Sequence, residues 1–271
     1  MPTLILPPRY TDDSIALWRA ATAMGWGVMR LQGWRVGADL SIDEPVPYGE
    51  PLFVATVAEQ LGLAVLEPPF DLLARLPERF RRREVGFDHG QDIPSYRFPA
   101  FVKPADDKCF PAAIYQSALE LRQFAIPPAT PILRSEPVSW SLEFRCFVAD
   151  RRCRALSLYA RSGTLALAQD GSWSGADEEL SAARSFMKEL LSCADVELPP
   201  AVAIDIGLIV DKGWAVVELN ACCGAGIYGC DPHQVLAVLR SGVVPMARLR
   251  VDDRRWIVQR APIRPTAEGP A

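Results

Sequence analysis

Three oxygen-bearing side chains, Asp205, Glu218 and Asn220, punctuate two β-type runs near the C-terminal end of the chain. The runs read Ala-Ile-Asp-Ile-Gly-Leu-Ile-Val and Trp-Ala-Val-Val-Glu-Leu-Asn, with Asp-Lys-Gly between them. Hard cations such as Mg²⁺ take oxygen ligands and usually keep water and phosphate oxygens in their shell. Oxygen donors on two rigid strands therefore point to metal-nucleotide chemistry. The competing reading is an amphipathic hairpin whose polar face is merely solvated.

Register decides whether the three donors meet, because a one-residue slip flips every side chain of a strand to the other face. An even-numbered loop sets Ile206 opposite Leu219, Leu208 opposite Val217 and Val210 opposite Ala215, an apolar face. The other face then pairs Asp205 with Asn220 and brings Glu218 beside them. An odd loop without a bulge separates Asp205 from Glu218. The even loop is the expectation.

Upstream, Phe-Val-Lys-Pro sets Lys103 at the end of a strand, and Lys108 follows in a loop. Lysines placed so can act as point charges on phosphate oxygens or simply as surface charge. Ser-Glu-Pro-Val places Glu136 and Val138 at another strand end, where a carboxylate and backbone amides can read the edge of an adenine. In Leu-Glu-Phe-Arg-Cys-Phe, Glu143 and Arg145 share a strand face. Arg145 serves either a salt-bridged sheet surface or a bidentate grip on a phosphate or carboxylate. The cluster Arg79, Arg81, Arg82 and Arg83 reads as a solvated helix end with one arginine available to an anion. No Gly-x-x-x-x-Gly-Lys or Gly-x-Gly-x-x-Gly run occurs, which removes the P-loop and Rossmann dinucleotide sites.

These residues need strands and helices to hold them. Thr3–Leu6 predicts a strand, Asp12 or Asp13 caps a helix to about Met24, and residues 28–31 form the next strand. A helix at 53–61, a strand at 64–66 and a helix opening at Asp71 complete a small parallel α/β unit. Residues 88–99 read as a linker. A strand at 100–103, a helix near 112–124 and a strand from Ile132 follow, then a hairpin at 142–148 and 154–159. Leu180, Ala183, Phe186, Met187, Leu190 and Leu191 recur at helical spacing through 177–194. Asp231-Pro232 opens a last helix to about Leu239. The expected organisation is a mixed α/β (α+β) chain divided at 1–90, 91–138 and 139–260, with a disordered tail over 261–271.

Bulk properties narrow the function. The 271 residues are 49% hydrophobic and 23% charged with a formal net charge of −4. Nothing in that balance favours a nucleic acid or an anionic membrane as the main partner. The sequence has no apolar run long enough to span a bilayer and no signal-peptide start. Seven cysteines without a regular framework suit reduced thiols in a cytoplasm. Cys222, Cys223 and Cys230 have poor zinc spacing, and the two histidines, His89 and His233, leave little scope for a triad or histidine metal site.

Taken in order, Phe-Val-Lys-Pro with Lys108, Ser-Glu-Pro-Val, Glu-Phe-Arg-Cys-Phe-Val-Ala-Asp, Asp-Ile-Gly, Val-Val-Glu-Leu-Asn-Ala and Gly-Ile-Tyr-Gly-Cys-Asp-Pro resemble the ATP-grasp superfamily. The narrower resemblance, over about residues 75–240, is to its small bacterial and phage-type R-two-K clade. It implies an ATP-grasp fold, with residues 1–90 as a pre-ATP-grasp unit and two α+β lobes enclosing a nucleotide cleft. It further implies that Lys103 and Lys108 contact ATP phosphates and that Glu136 and Val138 sit at the adenine hinge. Arg145 would face the γ-phosphate or acyl-phosphate, Asp205, Glu218 and Asn220 would hold Mg²⁺, and Arg83 would be a further anion contact. The implied activity is ATP-dependent ligation of a carboxylate, through an acyl-phosphate, to an amine. Small-molecule or peptide substrates would enter between the N-terminal unit and the core, near 222–228. Where better-known members carry a glycine-rich phosphate loop, this chain has Ala-Asp-Asp-Lys-Cys-Phe. That departure also admits a nucleotide-binding regulatory or conflict-system module without ligase turnover.

Overall fold

The computed structural model describes residues 1–37, 42–105 and 109–258. Its N-terminal unit runs β1 (Thr3–Leu6), α1 (Asp12–Ala23), β2 (Gly27–Arg30), β3 (Pro45–Pro47), α2 (Pro51–Gln60) and β4 (Leu63–Val65). The first three strands form a parallel sheet in the order β2-β1-β3; the β-α-β alternation predicts the pairing of β1 with β2, whereas the third strand is Pro45–Pro47 and not the expected strand at 64–66. Thr11, not an aspartate, caps α1: its hydroxyl accepts from the Ser14 amide at 3.1 Å, which leaves Asp12 and Asp13 inside the first turn. β4 stays out of this sheet and pairs antiparallel with Val243–Pro245. The chain's far end thus folds back onto its first unit.

Short helices α3 (Leu72–Arg75) and α4 (Glu78–Arg81) lead into a second, antiparallel sheet. Its strands are β5 (Val85–His89), β6 (Ala100–Pro104), β7 (Ala113–Tyr115) and β8 (Pro131–Ser135), ordered β5-β8-β6-β7. The expected linker at 88–99 begins inside β5, and the Gly90 and Gln91 amides bond to the Thr130 and Pro128 carbonyls at 2.9 and 3.0 Å. Its glycine and prolines mark a turn within the lobe, not a boundary. The expected helix at 112–124 divides into β7 and α5 (Ala118–Arg122). Tertiary packing overrides helical spacing there, because the Tyr115 ring packs against Phe110 and Phe124.

The third unit holds β9 (Trp140–Ala149), β10 (Arg152–Arg161), β11 (Thr164–Leu165), α6 (Asp177–Ser192), β12 (Ala201–Ile209), β13 (Gly213–Asn220), α7 (Pro232–Ser241) and β14 (Val243–Pro245). Its antiparallel sheet is ordered β11-β10-β9-β12-β13. The predicted stripe of α6 closes one face, with Phe186, Met187 and Leu190 packed among Phe144, Cys146, Ile204 and Ile206. Burying each such side chain is worth about 1.5–3 kcal/mol. Val235, Leu236 and Leu239 of α7 belong to the other core, with Phe147, Ala149, Ala201 and Ala203. Side chains alternate along a strand. The alternate positions that carry Ala203 and Phe147 therefore continue to Asp205 and Arg145, so the face that packs α7 also presents the charged residues. The expected tail at 261–271 lies outside the described residues.

Candidate active site

The observed hairpin register differs from the expected one. Three residues, 210–212, separate Ile209 from Gly213, so the loop is odd. Pairing runs Ile209↔Gly213 to Ile206↔Val216, then Asp205↔Glu218, Ile204↔Leu219 and Ala203↔Asn220. Val217 is the extra residue of a β-bulge. One bulge plus an odd loop restores the parity that an even loop would give, and Asp205 lies directly opposite Glu218 rather than Asn220. The expected pairs of Leu208 with Val217 and of Val210 with Ala215 do not form. Periodicity could not reveal the bulge, because Val217 is apolar like its neighbours.

Arg83 holds this irregularity. It is 8% exposed. Its guanidinium donates to the Val216 and Val217 carbonyls at 2.8 and 3.0 Å and to the Arg81 carbonyl at 3.1 Å, and it lies 5.0 Å from the Trp140 ring centre. Burial, and then the neighbouring Arg81 charge, lower its pKa to about 10. The arginine expected to meet an anion therefore spends these donors on backbone, at the point where the ladder leaves carbonyls without strand partners.

Across the large sheet, Ser157, Arg145, Asp205 and Glu218 form one row, each paired with the next. Arg145 forks onto Asp205, Nε to Oδ1 at 2.5 Å and Nη2 to Oδ2 at 2.8 Å, and its Nη1 donates to the Gly226 carbonyl at 2.9 Å. Both side chains are almost wholly enclosed. Burial pushes the Asp205 carboxyl up to about 7 against the pull of Arg145, with Glu218 adding to the rise. Burial also works against the Arg145 charge, but Asp205 outweighs it and raises the guanidinium further above its ordinary value.

Glu218 faces the small sheet. Lys103, on β6, donates to Glu218 Oε2 at 2.6 Å, and Asn220 Nδ2 donates to Oε1 at 2.8 Å. Burial alone would raise the Glu218 pKa, but Lys103, then the Asn220 hydrogen bond and the Arg145 charge, hold it at about 2. Glu136 and Val138 lie on the segment from β8 to β9 that joins the two sheets. The Glu136 carboxylate turns to Lys212 at 2.5 Å on the rim, and its amide donates to the Glu84 carbonyl at 3.0 Å. Lys212 holds the Glu136 carboxyl below its usual range. A cleft of about 1130 Å³ lies between the sheets, lined by Lys103, Glu136, Val138, Arg145, Glu218 and Asn220 among others. Lys108 lies outside the described residues.

Composition and spacing did not single out the aromatic wall beside Arg145. Tyr228 stacks on Tyr159 with ring centres 4.8 Å apart, Trp173 meets Tyr228 edge-on at 5.4 Å, and Arg145 lies 5.0 Å from the Tyr228 ring centre. Tyr228 has φ of +47°, uncommon for a bulky residue. The one available signal was its place between two glycines in Gly-Ile-Tyr-Gly.

Among the described residues, no group of three or more His, Cys, Asp or Glu side chains is disposed to hold a metal. The reason lies in the row itself. Asp205 is committed to Arg145, and the third oxygen donor is the Asn220 amide. Glu218 and Asn220, two apart on one strand face, are hard oxygen donors that fit Mg²⁺. Asp205 fits as their fixed neighbour.

A family model for the ATP-grasp domain of the R-two-K clade, family 2, matches residues 80–238. No functionally curated relative matches. Solved structures similar to this fold include an ATP-grasp RimK domain protein from Sphaerobacter thermophilus, at 16% identity and TM-score 0.53, with 89% of this chain and 97% of that one covered. The D-cycloserine synthetase DcsG aligns at 14% identity and TM-score 0.56, covering 89% and 99%. The D-alanine–D-alanine ligase of Bacillus anthracis complexed with ATP aligns at 14% identity and TM-score 0.50, covering 89% and 96%.

Proposed function

The chain belongs to the R-two-K clade of ATP-grasp domain proteins, and on that premise we propose that it is an ATP- and Mg²⁺-dependent ligase that activates a carboxylate as an acyl-phosphate for attack by an amine. The observation that carries this reading is the row Arg145–Asp205–Glu218 facing Lys103 across one cleft. Solved ATP-grasp proteins of similar fold include a D-cycloserine synthetase, a D-alanine–D-alanine ligase and an L-amino acid ligase, which supports a carboxylate-amine ligase in general terms.

Lys103 and Glu218 compensate each other's charge. A nucleotide phosphate on Lys103 releases Glu218, which with Asn220 would hold Mg²⁺; the ion would neutralise phosphate charge during transfer. The adenine would rest against the 136–138 segment, read by its backbone because the Glu136 side chain is turned to Lys212. Arg145 keeps two N–H groups beyond the three it donates to Asp205 and Gly226, since a guanidinium carries five. Those two would orient the substrate carboxylate against the γ-phosphate and stabilise charge on the acyl-phosphate. The amine then displaces phosphate. Positioning and electrostatics suffice for phosphoryl transfer, so no serine or cysteine nucleophile is required.

The test is ADP release with carboxylates, using hydroxylamine to trap an acyl-phosphate as its hydroxamate. Wild-type protein should yield hydroxamate, whereas Glu218→Ala and Asp205→Asn should not. Wild-type Mg-ATP binding without ADP release across a broad set of carboxylates and amines would instead favour a nucleotide-binding module. The Ala-Asp-Asp-Lys-Cys-Phe sequence in place of a glycine-rich loop motivates that second reading.

A further inference from the structure

The N-terminal unit grips the segment after β13 at alternate residues. The Gly49 amide donates to the Cys223 carbonyl at 3.1 Å, the Tyr48 hydroxyl lies 3.1 Å from the Ala225 carbonyl oxygen, and Asp13 Oδ2 accepts from the Ile227 amide at 3.0 Å. Gly224 and Gly226 between these points, and Tyr228 beyond them, line the cleft. The Gly226 carbonyl accepts from Arg145 Nη1 at 2.9 Å. Neither Asp13 nor Tyr48 lines the cleft, so any effect they have on it passes through this segment.

The proton supply of this grip is short by one. The Tyr48 oxygen lies 3.3 Å from Asp13 Oδ2 as well as 3.1 Å from the Ala225 carbonyl oxygen, but a phenol carries one proton. With Asp13 ionised, both neighbours of that hydroxyl are acceptors and one contact lacks a hydrogen. The carboxylate makes the stronger, charge-assisted bond, so it takes the proton and the Ala225 carbonyl goes without. Tyr48 and Ala225 are both buried, which makes the missing donor costly. With Asp13 protonated on Oδ2, the acid donates to Tyr48, Tyr48 donates to Ala225, and Oδ2 keeps a lone pair for Ile227. Every contact is then made. The charged and titratable groups facing Asp13 are Asp12 on its own helix, Tyr48 after β3, Arg145 on β9, and Tyr228 and Cys230 after β13. Burial raises the Tyr48 and Tyr228 phenols and lifts the Cys230 thiol to about 12, so these three keep their protons. Burial also raises the Asp13 carboxyl above its ordinary 3.8, against the Ile227 and Tyr48 hydrogen bonds.

We propose that Asp13 and Tyr48 are positioning residues for Arg145: one proton between them decides whether the first unit holds the 223–228 segment at three points or two, and so how firmly the Gly226 carbonyl fixes the guanidinium. What Arg145 does in the cleft rests on the ligase reading, but its positioning does not. Asp12, exposed on the same helical turn, provides the internal comparison.

The experiment is an NMR pH titration of the full chain that follows the Asp13 carboxyl carbon, the Ala225 carbonyl carbon and the Arg145 Nε–H group. In the wild type all three should show one shared midpoint, above the ordinary carboxyl value of 3.8. In Tyr48→Phe, Asp13 should still titrate while the Ala225 carbonyl stays nearly flat. Asp13→Asn offers an oxygen to Ile227 and Tyr48 but no proton, so its Ala225 carbonyl should keep the wild type's high-pH position throughout. The Arg145 group also senses Asp205, at about 7, and should lose only the Asp13 step in that variant. Asp12→Asn should keep the shared midpoint. A flat Ala225 carbonyl in the wild type, a step of undiminished size in Tyr48→Phe or Asp13→Asn, or Asp13 titrating at or below 3.8 overturns the proposal. For any carboxylate that is turned over, KM should rise about fivefold through the Asp13 midpoint, the effect of one neutral hydrogen bond, and that step should vanish in Asp13→Asn. A KM level across the midpoint overturns the positioning of Arg145. Failure of every carboxylate to turn over, with the NMR steps as described, would instead overturn the ligase reading and leave the shared proton standing.

Discussion

Lys103 Nζ lies 2.6 Å from Glu218 Oε2, so an ion pair within the cleft lining joins the small sheet to the large sheet. Its side chains are 20% and 31% exposed, sheltered enough for the pair to matter and open enough for its partners to exchange. Glu218 sits at about 2, below the ordinary carboxylate value of 4.5. A depressed carboxylate contributes stability above its unfolded pKa, and that contribution is lost as pH falls through the folded value. Between roughly pH 4.5 and 2 the wild type should therefore lose stability that Lys103→Met has already lost at pH 7. Chemical denaturation of both proteins from about pH 7 to about pH 2.5 checks this, and parallel curves would count against the pair.

Arg83 is expected to act through the bulge. Arg83→Met removes the donors to the Val216 and Val217 carbonyls, each costing about 1–3 kcal/mol if left buried and unpaired. Beyond the lower Tm, the Mg²⁺ concentration needed for half-maximal nucleotide binding should rise, because Glu218 is the next residue along. Arg83→Lys should recover part of the stability and little of the metal dependence, since one ammonium cannot span two carbonyls in fork geometry. A stability loss with unchanged Mg²⁺ dependence would show that the bulge holds itself.

The Arg145–Asp205 pair should display the asymmetry of buried charges. Removing one partner strands the other, at a cost of about 3–5 kcal/mol. Arg145→Met and Asp205→Leu should each unfold at markedly lower denaturant concentration. The double variant should be more stable than either single one, yet bind no substrate carboxylate. Additive destabilisation in the double-mutant cycle would contradict the pairing.

The parts of this molecule legible from sequence are those set by local period. The parallel start of the first unit, the apolar stripe of α6 and the proline-opened α7 all follow from spacing that a single element imposes on itself. Type made legible as candidates Lys103, Arg145, Glu218 and Asn220, which line one cleft, and Asp205, which is buried against Arg145. Their partners were not. An apolar bulge residue such as Val217 leaves no trace in a hydrophobic pattern, and Arg83 looks in sequence like one more member of a basic cluster. Asp13 reads as an ordinary acidic residue in a helix's first turn. Its contact with Ile227 spans the length of the chain and belongs to tertiary structure alone.

Whether Glu218 and Lys103 serve one Mg-nucleotide site is measured most directly by calorimetry of a non-hydrolysable ATP analogue, with and without Mg²⁺, on the wild type and Glu218→Gln. The wild type should bind the nucleotide at least about tenfold more tightly with Mg²⁺ than without, a gain of roughly 1.4 kcal/mol or more. Glu218→Gln should lose that gain while its metal-free binding through Lys103 remains. An equal Mg²⁺ enhancement in the two proteins, or no nucleotide binding by the wild type, would contradict a shared site.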